Sequence, residues 1–163
     1  MTPREKFIAA LERQPISGRV PHFELLFTLT MEAFAKVHPT HRNYSQWDQM
    51  EPKEKKLHIN DMADLYIQIA RTYEHSAIFV MQISHSDQEL PGIINTIREK
   101  TGDEYFIAVH GDPTFEVPDG EKMLDFSYRL TDEPQKVHRE AQDRVNGFLD
   151  RAGKLQQSCS LDG

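Results

Sequence analysis

SAIFVMQI, Ser76 to Ile83, is a near-continuous apolar run. A helical pattern precedes it, and the polar SHSDQEL follows it. A strand that is apolar on both faces is what a parallel sheet covered by helices on each side requires. The run therefore predicts a parallel strand and makes an α/β architecture the first expectation.

Upstream, NDMADLYIQIARTYEH reads as a helix capped by Asn60 or Asp61, with Met62, Leu65, Ile69 and Tyr73 on one face. Pro39 to Lys56 is polar and weakly patterned, and reads as a long excursion over a binding face. TMEAFAKVH gives a short helix, Thr30 to Val37. RVPHFELLF, Arg19 to Phe27, reads as a first strand, with Pro21 near its start, where a missing N–H is tolerated. At the N-terminus Thr2, Pro3 and Glu5 spell a capped helix, because the Thr hydroxyl and the Glu carboxylate each satisfy a backbone N–H that the first turn leaves unpaired.

Downstream, PGIINTIREK is a helix ended by Gly102. YFIAVH, Tyr105 to His110, is a third strand, and its exit GDPTFEV is a polar turn. Helices follow from about Gly120 to Leu130 and from about Asp132 to Lys154, the second with Val137, Ala141, Val145 and Phe148 on its seam. Three parallel strands with covering helices result. Three such strands need their edges managed, and these carry no edge charges. They belong either to a small open sheet or to the first part of a larger closed one; the second is favoured.

The chain has 163 residues, enough for one domain with a real core. Its net charge of -7 argues against nucleic acid or an anionic membrane as a partner. Cys159 is the only cysteine, which excludes an internal disulfide and a four-cysteine zinc site. No apolar run is long enough to span a membrane, and the first residues have no secretory pattern. A cytoplasmic protein is expected.

The motifs, in order, resemble the uroporphyrinogen decarboxylase superfamily. MTPREKFIAALERQPISGRVP resembles its opening helix and Arg-Val-Pro turn. SAIFVMQI and YFIAVHGDPTF resemble its second and third strands, LTDEPQKVHREAQDRV the helix after them, and LDG the lead-in to the fourth strand. The resemblance implies a TIM (β/α)8 barrel, of which this chain would be roughly the N-terminal half, a single domain over 1–163. It also implies a decarboxylase of uroporphyrinogen, or a methyltransferase that moves a methyl group between a corrinoid and a thiol.

Two departures favour the methyltransferase-like branch. A site for the many carboxylates of uroporphyrinogen needs arginine forks, and the matching stretch HFELLFTLTMEAF contains none. The family decarboxylase also has an aspartate on its second strand for the pyrrole N–H groups, and Gln82 stands there instead. The decarboxylase reading implies no cofactor. The methyltransferase reading implies zinc, with ligands outside this chain, and a corrinoid carried on a partner protein. The partner is thus a small-molecule substrate or a corrinoid protein, and a homodimer is possible. A non-catalytic module that binds a corrinoid protein, or an inactive fragment, is the alternative from a different class.

Chemistry on such a fold gathers at the C-terminal ends of the strands. Glu24 leaves the first strand; if it faces the interior, its carboxylate needs a partner. Gln82, His85 and Asp87 follow the second, where His85 and Asp87 pair as base and orienter or lie on a solvated loop. His110 ends the third strand and would donate to a substrate oxygen or shuttle a proton. Asp112 would bind substrate or act as a base, or cap its own turn before Pro113. Gly111 would permit close backbone approach. Catalysis is thereby placed on His110, Glu24 and Asp112, and cofactor binding on Gly111, Gln82 and His85. His38 and His41 flank Pro39, which spoils the helical spacing a shared metal would use, so no metal ligand is assigned.

Overall fold

The computed structural model describes residues 1–81, 89–114 and 118–163. The chain divides into two compact units, one of residues 1–110 with 158–163 and one of residues 111–157.

The first unit begins with α1, Pro3–Leu11. The Thr2 hydroxyl accepts from the Glu5 N–H at 3.1 Å, and the Glu5 carboxylate accepts from the Thr2 N–H at 2.7 Å, so the capping box written in the sequence forms. Helix α2, Thr30–Phe34, is shorter than its pattern predicts. Ala35 ends it at φ 53, in the left-handed region that an alanine adopts only when its surroundings hold it there.

The stretch from Pro39 to Lys56 is not an excursion. Two 3-10 turns, Pro39–His41 and Trp47–Gln49, fold it inward. Trp47 is 2% exposed, its indole N–H donating to Glu89 at 2.8 Å, and Tyr44 donates to the Pro39 carbonyl at 2.7 Å. Helix α3, Pro52–Thr72, starts a full two turns before the predicted cap. A second capping box explains this: the Glu51 side chain accepts from the Glu54 N–H, and the Glu54 side chain accepts from the Glu51 N–H. PKEKK, Pro52 to Lys56, is therefore the mostly exposed start of that helix.

Strand β1, Ala77–Val80, lies parallel to β2, Phe106–Val109, with Ala77 opposite Phe106 and Val80 opposite Val109. Helix α4, Leu90–Thr101, connects them and buries Leu90, Ile93, Ile94 and Ile97. Ile83, at the end of the predicted strand, lies outside the described residues.

The predicted barrel half, with three parallel strands, is not what the structure contains. Among the described residues there are two strands in one two-stranded sheet, and most of the chain is helical. Arg19 to Phe27 is not a strand. It meets β1 through one backbone bond, Ser76 N–H to the His22 carbonyl at 2.7 Å. Pro21 has no N–H to continue a ladder. Phe23, Glu24 and Leu25 are exposed in succession, so the segment does not bury alternate residues as a sheet strand would. What holds it is ring stacking, with Phe23 4.3 Å from Phe79 between centroids, not backbone pairing.

At the other edge, Leu161–Gly163 runs beside β2. Val109 N–H donates to the Gly163 carbonyl at 3.1 Å, and Asp162 N–H donates to the Ile107 carbonyl at 2.8 Å. The Asp162 carboxylate also collects Arg4, Arg98 and the Ile107 N–H. It thereby ties α1, α4 and β2 to one short stretch of chain.

The second unit holds α5, Glu121–Asp132, and α6, Pro134–Ser158, whose last residue belongs to the first unit. Arg129 grips both oxygens of Glu140 at 2.9 and 2.6 Å and joins the two helices. Val137 and Leu155 of α6 are buried, while Met123, Leu124, Tyr128 and Leu130 of α5 stay exposed. No helix among the described residues is long and apolar enough to cross a membrane.

Candidate functional site

The most chemically loaded place in the first unit is a crevice between the 22–27 segment, α3 and β1. Glu24, Phe27, His38, Tyr66, His75 and Ile78 are among its lining residues. Its free volume is about 20 Å³, the scale of one water molecule.

His38 arrives there because it caps the 3-10 turn at Pro39. Its Nδ1 accepts from the Thr40 N–H at 3.3 Å and lies 2.8 Å from the Thr40 hydroxyl. A backbone N–H only donates, so Nδ1 is bare and the proton of the neutral ring sits on Nε2. The side chain is 2% exposed. Burial first, and then the neighbouring His41 and Arg42, push its pKa down to about 4. The ring is neutral near pH 7.

Tyr66 comes from the buried face of α3. Its ring stands edge-on to His38, with centroids 5.7 Å apart. Its hydroxyl accepts from the N–H of Met81, the residue just beyond β1, at 3.2 Å. Burial drives the phenol pKa upward, so it keeps its proton. His75, two residues before β1, is 6% exposed and is also held toward neutrality by burial, with His22 and Arg19 adding to the effect. His22 donates from Nε2 to the Tyr73 carbonyl at 3.0 Å.

Of the described residues given a catalytic or cofactor-binding role from sequence, Glu24 alone lines this crevice, and it is exposed rather than buried. Gln82, His85 and Asp87 lie outside the described residues. His110 is exposed just after β2 and does not line the crevice. Asp112 makes the local turn: its Oδ1 accepts from the Thr114 N–H at 2.9 Å. At Gly111 a Cβ would run into the Phe148 ring. Gly111→Ala is expected to force that ring aside and to cost about 1 kcal/mol, read as a shift of the urea midpoint. An unchanged midpoint would show that the ring moves freely.

Tyr66, His75 and the role of His38 were missed. Tyr66 sits in an apolar helical stripe and reads as core. His38 and His75 carry no spacing signal, because three separate segments deliver them. His38 and His41 have ring centroids 6.0 Å apart. Among the described residues no group of three or more His, Cys, Asp or Glu side chains could hold a metal ion.

The crevice thus combines two neutral imidazoles, a protonated phenol and a carboxylate, with no lysine or arginine among its described lining residues. It can donate hydrogen bonds to an oxygen, but it has no cation with which to hold a carboxylate. No family model, curated protein or solved structure matches the chain.

Proposed function

We propose that this chain is a uroporphyrinogen decarboxylase-superfamily protein of the methyltransferase-like branch, transferring a methyl group to a thiol. The order of motifs from MTPREKF to LDG supports the family reading. One observation favours the branch: among the described residues lining the crevice beside β1 there is no arginine or lysine. A substrate bearing many carboxylates needs fixed cations, and guanidinium forks suit that geometry best. Arg19, the basic residue just ahead of the segment, pairs instead with the exposed Glu74 before β1.

The zinc that this reading implies would take its ligands from outside this chain, and no group of three or more such side chains occurs among the described residues. No step through the metal is therefore derived. What these residues do is hold neutral side chains in the crevice, with no lysine or arginine among the described lining residues to fix a substrate of many carboxylates. A corrinoid-carrying protein is the proposed partner and the cytoplasm the proposed compartment.

The test uses protein produced from its native gene. It is incubated without oxygen with methylcobalamin and 2-mercaptoethanesulfonate, and separately with uroporphyrinogen. Thiol-dependent loss of the methylcobalamin absorbance, with no coproporphyrinogen formed, is the expected result. Coproporphyrinogen formation would overturn the branch assignment. Silence in both assays would favour a non-catalytic module that binds a corrinoid protein.

A further inference from the structure

We infer that the outward face of α5 is a docking surface for a basic amphipathic helix of a partner protein. No residue of α5 is buried. Phe126 and Arg129 are its partly covered residues, and Arg129 is bonded to Glu140, which turns that side toward α6. Leu124 and Tyr128, one turn apart, lie on the far side and are 58% and 59% exposed. Met123 and Leu130 widen the apolar surface at 49% and 48% exposure. Four large apolar side chains on one helix, each about half in water, form a stripe rather than the scattered single residues a surface normally shows.

The charges beside the stripe select its occupant. Asp125 stands three residues before Tyr128, Asp132 four after it, and Glu121 three before Leu124, spacings that make each a surface neighbour of the stripe. Among the described residues none of these three carboxylates has an ion-pair partner. The two cations of α5, Lys122 and Arg129, are seven residues apart and share the Phe126 side. Every charge bordering the stripe is therefore acidic. A helix that lays apolar side chains on Leu124 and Tyr128, and lysine or arginine on the acidic row, satisfies both features. A second copy of α5 does not. Run antiparallel, it would set its acidic row against the same row; run parallel, it would offer that row no cation. An anionic membrane is repelled by the same carboxylates. The net charge of -7 draws a basic partner in from a distance. The docking surface does not rest on the methyl-transfer reading, since its test contains neither corrinoid nor thiol.

The experiment uses the whole chain and a designed peptide of about 18 residues, long enough to fold as a helix on contact, with leucine on one face and lysine along its borders. A scrambled peptide of the same composition and a version with glutamate for lysine are the controls. Fluorescence anisotropy at physiological salt is expected to show saturable binding of the leucine–lysine helix, with both controls about tenfold weaker or worse. Leu124→Gln with Tyr128→Gln should weaken binding about tenfold. Asp125→Asn with Asp132→Asn should weaken it about fivefold and flatten its salt dependence. Leu57→Gln, at an exposed leucine of α3, should leave it unchanged. Backbone amide shifts in the unmodified protein should centre on α5, a reading that stands if a variant fails to fold. Equal binding of the scrambled peptide, shifts centred outside α5, or binding untouched by either double variant would each overturn the docking surface. A dimer in sedimentation that Leu124→Gln disperses would give the face to a second copy, and flotation with anionic vesicles that Leu124→Gln abolishes would give it to a membrane; either result overturns the proposal.

Discussion

Asp162→Ala is expected to lower the stability of the first unit by about 3 kcal/mol, the range seen when one partner of a buried ion pair is removed. Asp162 Oδ1 accepts from Arg4 Nη2 at 2.7 Å, and Oδ2 accepts from Arg98 Nη2 at 2.7 Å and from the Ile107 N–H at 2.9 Å. Its side chain is 11% exposed and that of Arg98 is 16% exposed. Truncation therefore leaves a mostly buried guanidinium and a buried backbone N–H without their acceptor. Asp162→Asn keeps one acceptor oxygen and should lose about half as much. Urea unfolding of both variants at pH 7 measures this, and equal losses would show that the cluster acts by packing alone. Burial pushes the Asp162 carboxyl up, but the bonds from Arg4, Ile107 and Arg98 outweigh it and hold the carboxyl below the usual range. The stabilisation is accordingly present above about pH 4 and is lost as pH falls through the depressed value.

Acid should weaken the first unit well before its carboxylates titrate. His38 has its pKa lowered from 6.5 to about 4. The unfolded chain takes up its proton near pH 6.5, whereas the folded ring stays bare until about pH 4, so stability falls across that interval and then levels. The loss expected from His38 is about 2 kcal/mol, reduced from the full linkage value because the crevice is not wholly sealed. His75, also depressed by burial, adds to the slope in the same direction. Unfolding midpoints measured at pH 7, 5.5 and 4.5 would trace the decline. His38→Gln, which can still accept from Thr40 and cannot titrate, should flatten more than half of it. An unchanged slope in that variant would rule His38 out as its source.

Much of the secondary structure was legible because it depends on near neighbours. Thr2 and Glu5 are three residues apart and form their box without help from the rest of the chain. The apolar runs at 77–80 and 106–109 became parallel strands because both faces of each had somewhere to go. The same reasoning missed the start of α3. Glu51 is not among the residue types favoured as caps, yet its carboxylate performs the role. The reading of Arg19 to Phe27 failed for a different reason. Alternation reports which residues favour burial, not whether a neighbour offers a ladder of hydrogen bonds, and here one bond forms.

The chain's order of residues by itself settled the Thr2–Glu5 capping box and the strands within the apolar runs at 77–80 and 106–109. These are local properties. Only the tertiary structure decided that Trp47 turns inward, that the sheet has two strands among the described residues, and that His38, Tyr66 and His75 line one crevice with Glu24. Those groups come from segments far apart in the chain, and a periodicity read along one segment carries no information about which other segment will pack against it.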